Sequence, residues 1–299
     1  LVAAQVRSAV RAKLADLYLR ASDHKQAAEL LEGMLKDDPL NAQASFILGS
    51  MAYDDQRAEQ AIDYFNRTVL LNPKFEQAYY DLAGAQIAAN RLDDALATLA
   101  KARTQFGQTF FLEYLSGVAC SRRKDFAEAF KYYTAAEVVA QATQPNRLTH
   151  AFYFQMGVAC ERSGDFDTAA KHFEKCLELS PNFTDAQNYL GYMWAERGTN
   201  LNRARELIER AVKAEPDNSA FLDSLGWVLF KLGKPREALE PMERALGKIE
   251  EPDPTLYDHL GDIHAALGEI DKAREAWRKS LEIEPNEVVR KKFDAAAPK

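Results

Sequence analysis

No uninterrupted apolar run of about 18 residues occurs anywhere in this 299-residue chain, so no segment is built to cross a bilayer as a helix. Catalytic signatures are missing as well. There is no GxxxxGK(S/T) phosphate loop, no HExxH zinc helix, no GxSxG nucleophile turn, and no GxGxxG opening a helix after a strand. Basic charge is not in excess: 38 Lys and Arg face 45 Asp and Glu, a net charge of −7, which argues against a nucleic-acid partner. Only three cysteines occur, Cys120, Cys160 and Cys176, without CxxC spacing, and they read as buried free thiols. Glycine is scarce, at 14 residues, which makes the position of each one informative.

What is present is repetition. Residues 190–198 read LGYMWAERG, 225–233 read LGWVLFKLG and 260–268 read LGDIHAALG. Each places a glycine inside an apolar-periodic segment, where it costs roughly 1 kcal/mol relative to alanine. About twelve residues after Gly191, Gly226 and Gly261 come Ala204, Ala238 and Ala273. The register extends upstream through Gly157 and Ala169, Gly117 and Ala129, Ala83 and Ala95, Gly49 and Ala61, and Ala15 and Ala27. The second alanines are separated by 34, 34, 34, 40, 35, 34 and 35 residues. Four positions beyond each lies a large apolar residue: Leu31, Phe65, Leu99, Tyr133, Phe173, Ile208, Met242 and Trp277. Pro39, Pro73, Pro181, Pro216 and Pro285 close five of the units.

Within a unit, two segments with apolar residues at i, i+3, i+4 and i+7 flank a short polar turn such as Asp54-Asp55-Gln56-Arg57 or Ser163-Gly164-Asp165. That pattern predicts two antiparallel helices. The small residues then mark where the two backbones approach closely, and the proline ends the second helix.

This pattern at a 34-residue interval resembles the tetratricopeptide repeat, with units beginning near residues 8, 42, 76, 110, 150, 184, 219 and 254. The resemblance implies an all-α fold: a right-handed superhelical α-solenoid of about eight helix-turn-helix repeats, forming one array over 1–299, with a capping helix over about 287–296. Gly107 replaces the closing proline of the third unit, the fourth is longer around Val138–Thr149, and the sixth carries extra turn residues at Thr199-Asn200. Val2, Val6 and Val10 form a stripe predicting one long helix over 2–20, and Val289 and Phe293 give the last helix an apolar edge, with Arg290, Lys291 and Lys292 on its solvated side. Pro241, about two turns into the second helix of the seventh unit, predicts a kink.

In this family the first helices line a concave groove. Carried over by repeat position, the groove candidates are Phe46, Tyr53, Tyr80, Phe111, Tyr114, Phe154, Asn188, Tyr192, Asp223, Trp227, Phe230, Asp258 and Asp262. Nine aromatics on one helix set predict an exposed apolar stripe of the kind used in recognition. Positions that would form a clamp for a C-terminal carboxylate hold Phe46 and Ser50, or Tyr80 and Gly84, and do not match that specialisation. The cluster Asp258-His259-x-x-Asp262-x-His264 reads as a solvated acidic face with His264 packed on the core side, not as a metal centre.

The resemblance therefore implies a non-enzymatic scaffold or adaptor with no cofactor. Its partner is another protein, bound as an extended or helical segment with apolar anchors and basic flanks. The alternative is a structural subunit of a bacterial envelope or secretion assembly that uses its edges and convex face. Residues 188–277 resemble the C-terminal repeats of bacterial tetratricopeptide lipoproteins, which points to the periplasm or to outer-membrane association through a segment ahead of Leu1. Three free thiols favour the cytoplasm instead.

Overall fold

In the computed structural model, residues 2–296 are described, and side chains from residue 9 to 296; Val2 and Val6 lie outside the described side chains. The described residues are helical throughout, without strands, and the chain divides into two compact units, Leu1–Leu148 and Thr149–Lys299. The division falls in the lengthened stretch of the fourth repeat.

The first unit contains α1 (Val2–Arg20), α2 (His24–Asp37), α3 (Ala42–Asp54), α4 (Ala58–Leu71), α5 (Glu76–Ala88), α6 (Leu92–Phe106), α7 (Phe110–Arg122) and α8 (Phe126–Thr143), followed by a 3-10 turn at Pro145–Arg147. The second contains α9 (His150–Arg162), α10 (Phe166–Leu179), α11 (Thr184–Arg197), α12 (Leu201–Ala214), α13 (Ser219–Lys231), α14 (Pro235–Leu246), α15 (Pro254–Ala266), α16 (Ile270–Ile283) and α17 (Glu287–Ala295). In each unit, helices pair as hairpins, and each second helix packs on the next first helix, as α2 does on α3 and α12 on α13. First helices are also neighbours, α3 to α5 and α11 to α13 to α15, so their free faces form one surface per unit.

Local chemistry explains these boundaries. Each first helix ends in a left-handed residue, for example Gln56 (φ 59°), Asn90 (φ 58°), Gly164 (φ 87°) and Gly233 (φ 77°). The next N–H reaches five residues back, Arg57 to the Ala52 carbonyl (2.8 Å) and Asp165 to the Cys160 carbonyl (2.9 Å), which satisfies carbonyls the helix leaves unpaired. In the sixth repeat this closure falls on Gly198, and one extra left-handed residue, Asn200 (φ 46°), follows before α12. Second helices stop at the residue before proline, at Asp38, Asn72, Ser180, Glu215 and Glu284, while Gly107 (φ 81°) does this work after α6.

The packing corrects one detail of the sequence reading. The glycines make room for the large residue four past each alanine, more than for the alanine itself. A Cβ on Gly117 would lie 2.5 Å from Tyr133 Cε1, and one on Gly157 would lie 2.6 Å from Phe173 Cε1. The alanine backbone takes part in two repeats, where the Ala204 and Ala238 carbonyls would stand 2.9 and 3.2 Å from a Cβ on Gly191 and Gly226. Where the second-helix residue is leucine, at Leu31 and Leu99, the first helix carries alanine, Ala15 and Ala83, instead of glycine. α14 continues as helix through Pro241, whose ring is buried.

Candidate functional site

The site lies in the second unit, on α11, α13 and α15. Caps set the helix starts. Asn218 accepts the Ala220 and Phe221 N–H groups at the head of α13, and Asp253 accepts those of Thr255 and Leu256 at the head of α15. With these starts, Asn188, Tyr192 and Glu196 form one i, i+4 column on α11, Asp223 and Trp227 another on α13, and Asp258 and Asp262 a third on α15. Two cavities adjoin there. One of 690 Å³ is bordered by Asn188, Tyr192, Glu196, Asp223 and Asp253, and one of 430 Å³ by Trp227, Asp258, His259, Asp262 and Lys292; Tyr192, Glu196 and Thr255 line both.

The floor is a stack. The Trp227 and His259 ring centroids are 3.9 Å apart at 13°, Phe230 lies 5.1 Å on from Trp227 at 21°, and Lys231 Nζ stands 4.8 Å over the indole. His259 Nδ1 meets Asp223 Oδ1 at 2.9 Å, and its Nε2 lies 3.9 Å from Glu196. Burial opposes charge on this imidazole, but Asp223, Glu196 and Asp258 outweigh it and hold its pKa above the ordinary value. Burial pushes the Tyr192 phenol up, and Glu196, Asp223 and Asp253 push it further. Three carboxylates thus converge on one phenol. The ion pairs found for Glu196 and Asp223 are with His259; none of the pairs formed among the described residues joins Glu196, Asp223 or Asp253 to a Lys or Arg. The Asn188 Oδ1 acceptor is buried without a hydrogen-bond partner.

Four sequence expectations change. Trp227 is 6% exposed and Tyr80 is also buried, so the aromatics do not form a continuous exposed stripe. Truncating Trp227 to alanine would cost about 3–5 kcal/mol of stability, so a loss of binding in that variant would report unfolding. The histidine sealed in the core is His259, 4% exposed, while His264 is half-buried against Glu269 at 2.7 Å. Lys292 does not sit on a purely solvated face: its ammonium bridges Asp258 (2.8 and 3.0 Å) and Asp262 (2.7 Å). The two aspartates of the expected acidic edge are therefore bridged, and half compensated in charge, by an ammonium from within the chain. Asp223, already a candidate, pairs with His259, and beside it stand two further carboxylates, Glu196 and Asp253, which sequence reasoning passed over. Glu196 falls four residues after Tyr192, and Asp253 precedes Pro254 as a cap; either spacing could have revealed them.

Most of the remaining candidates pack against other aromatics, within a repeat or across to the next. Phe46 packs against Phe75 (4.5 Å) and Phe65 (5.7 Å), Tyr80 against Phe111 (5.6 Å), Tyr114 against Phe110 (5.6 Å), and Phe154 against Phe183 (5.3 Å) and Tyr189 (5.4 Å). Tyr80 bonds Thr109 Oγ1 at 2.9 Å and also Glu76. Tyr53 is exposed. Cys120, Cys160 and Cys176 are free and buried, and burial raises each thiol, Cys160 to about 12 and Cys176 to about 11. Among the described residues, no group of three or more His, Cys, Asp or Glu is placed to hold a metal ion, and no helix is long and apolar enough to cross a membrane.

Helix hairpins stacked first helix to first helix, with a small-to-large contact in every pair, define a helical-repeat protein. This chain belongs to the tetratricopeptide repeat family: models described as Tetratricopeptide repeat match residues 12–74 and 199–256, 52–109, and 150–183 and 254–287. It is similar to the TPR repeat-containing protein PA4667 of Pseudomonas aeruginosa, 29% identical over 73% of this chain, and spans 36% of that relative's length. A tetratricopeptide repeat protein from Parabacteroides merdae shares the fold at TM-score 0.64 and 15% identity, covering 85% of this chain and 98% of its own. YrrB, described as a TPR protein with an unusual peptide-binding site, aligns at TM-score 0.53 and 19% identity, covering 65% of this chain and 97% of its own.

Proposed function

We propose that this protein is a non-enzymatic scaffold or adaptor that takes a segment of another protein in the second-unit groove over Tyr192. The carrying observation is the trio Glu196, Asp223 and Asp253 around Tyr192, beside a 690 Å³ cavity that Arg162 and Arg197 also line; none of the three carboxylates forms an ion pair with a Lys or Arg among the described residues. A partner segment with a Lys or Arg set beside an apolar residue would complete it, with the charge steering and orienting the segment. How Lys292 sits between Asp258 and Asp262 illustrates such a contact within the chain itself. The non-enzymatic reading is supported by His259, which is buried against Trp227 and committed to Asp223. The peptide-binding description of YrrB fits the same reading.

Selection from a displayed random-peptide library on the immobilised protein tests this. Enriched sequences should carry Lys or Arg within a few residues of an apolar anchor. Glu196→Lys, on an exposed side chain, should weaken their binding at least about tenfold, an effect of 1.4 kcal/mol or more. Enrichment of acidic peptides, or binding indifferent to Glu196→Lys, would refute the assignment.

A further inference from the structure

The 690 Å³ cavity of the second unit holds charge of both signs, sorted between its two ends. The elements around it neighbour one another in the order α10, α11, α13, α15. At the α10 end lie Arg162, the last residue of α9, and Arg197, the last residue of α11, whose guanidinium rests 4.3 Å from the Phe166 ring centroid. At the other end lie Asp223 on α13 and Asp253 at the head of α15. The two arginines are used differently. Arg162 lies 3.3 Å from Glu161 and hydrogen-bonds Tyr189. Arg197 forms no ion pair among the described residues, although it shares the cavity with Glu196, Asp223 and Asp253. A guanidinium that rests on a ring keeps its N–H donors for an acceptor, and their fork geometry matches a carboxylate. Asp223 pairs with His259, and neither Asp223 nor Asp253 pairs with a Lys or Arg among the described residues. Opposite charges held apart across one cavity form a fixed dipole, and a ligand bearing the reverse order of charge completes it.

We propose that the partner segment is itself dipolar, a specificity that rests on the reading of this groove as a site for a protein segment bearing a basic residue. An Asp or Glu side chain of the segment seats on Arg197, and a Lys or Arg further along it faces Asp223 and Asp253. An apolar residue between the two charges falls at Tyr192, on the α11 face between the two ends. The order of charge fixes the direction in which the segment crosses the groove. A segment running the other way places like charges together at both ends and is repelled.

The test selects from a displayed random-peptide library on the full chain and on its Arg197→Glu variant. Arg197 is exposed, so the variant should melt as the parent does. Peptides enriched on the parent should carry an Asp or Glu at a fixed offset from the basic residue, and always on the same side of it. A synthetic copy of such a peptide should lose at least about tenfold in affinity on Arg197→Glu, and exchanging its acidic residue for Lys should restore binding to that variant. Arg197→Gln, which removes the charge without reversing it, should give a smaller loss. Interchanging the acidic and basic residues of the peptide should weaken its binding to the parent at least about tenfold. Enriched peptides without an acidic residue would overturn the proposal. So would binding that survives Arg197→Glu and is lost with Glu196→Lys, a result that leaves the basic-segment reading standing. Indifference to both substitutions would sink the two together. Binding that vanishes when the peptide C-terminus is amidated would also overturn it, since the anion would then be a chain end and not an acidic side chain.

Discussion

Gly117 and Gly226 occupy the same column yet face different neighbours, and the difference sets what a methyl group would do at each. Tyr133, opposite Gly117, is a fully buried rigid ring. Met242, opposite Gly226, is an unbranched chain that can repack. Gly117→Ala should therefore destabilise the protein by about 2 kcal/mol, because overpacking outweighs the helix-propensity gain of about 1 kcal/mol. Gly226→Ala should cost less than Gly117→Ala, because Met242 can repack, although the Ala238 carbonyl stands 3.2 Å from the added Cβ. Urea denaturation of the two variants checks this, and equal midpoints would contradict the packing account. The glycines were legible as positions, because small residues at a fixed interval need no tertiary knowledge to be seen. Their neighbours were not, because which side chain fills the gap depends on how two helices cross. His259 makes the same point: helix periodicity placed it beside the acidic face, and only the neighbouring α13, bringing Trp227 and Asp223, buried it.

Among elements, α17 shows how a tail becomes structure. Val289 is buried with Trp277 and Leu281, Arg274 donates to the Phe293 carbonyl at 2.7 Å, and Lys292 joins the helix to α15. Removing that ammonium leaves two partly buried carboxylates facing each other. Lys292→Ala should cost about 2 kcal/mol, the scale of a charge-assisted hydrogen bond, and should speed amide exchange across α17. Lys291→Ala, on the exposed side, should stay within about 0.5 kcal/mol of the parent. Similar behaviour of the two variants would mean that the Lys292 contacts do not hold the helix. The apolar edge of α17 was readable from Val289 and Phe293. The ion pair was not, because Asp258 and Asp262 lie 34 and 30 residues away in sequence. Helix starts at 42, 76, 110, 150, 184, 219 and 254 match the sequence reading because caps, left-handed turn residues and prolines act within a few residues of themselves.

For the whole molecule, the division at Leu148 and Thr149 carries an expectation of its own. Repeats draw their stability from themselves and their nearest neighbours, and the candidate groove lies wholly within the second unit. The fragment 149–299 should therefore fold alone, with cooperative urea unfolding and helical circular dichroism, and should bind selected peptides as the full chain does; an unfolded fragment would show that the units are not self-sufficient. The repeat length, the hairpin in each repeat, the family and the absence of a membrane-crossing helical run all followed from sequence alone, because each rests on local periodicity and on residues that start or stop helices. Tertiary structure decided which charges remain open. Asp258 and Asp262 look like an acidic edge in sequence, yet Lys292 bridges them and offsets half their charge, while Glu196, Asp223 and Asp253 gather around Tyr192 from three separate segments. Net charge at a site is a sum over groups brought together from distant parts of the chain, and no local pattern encodes that sum.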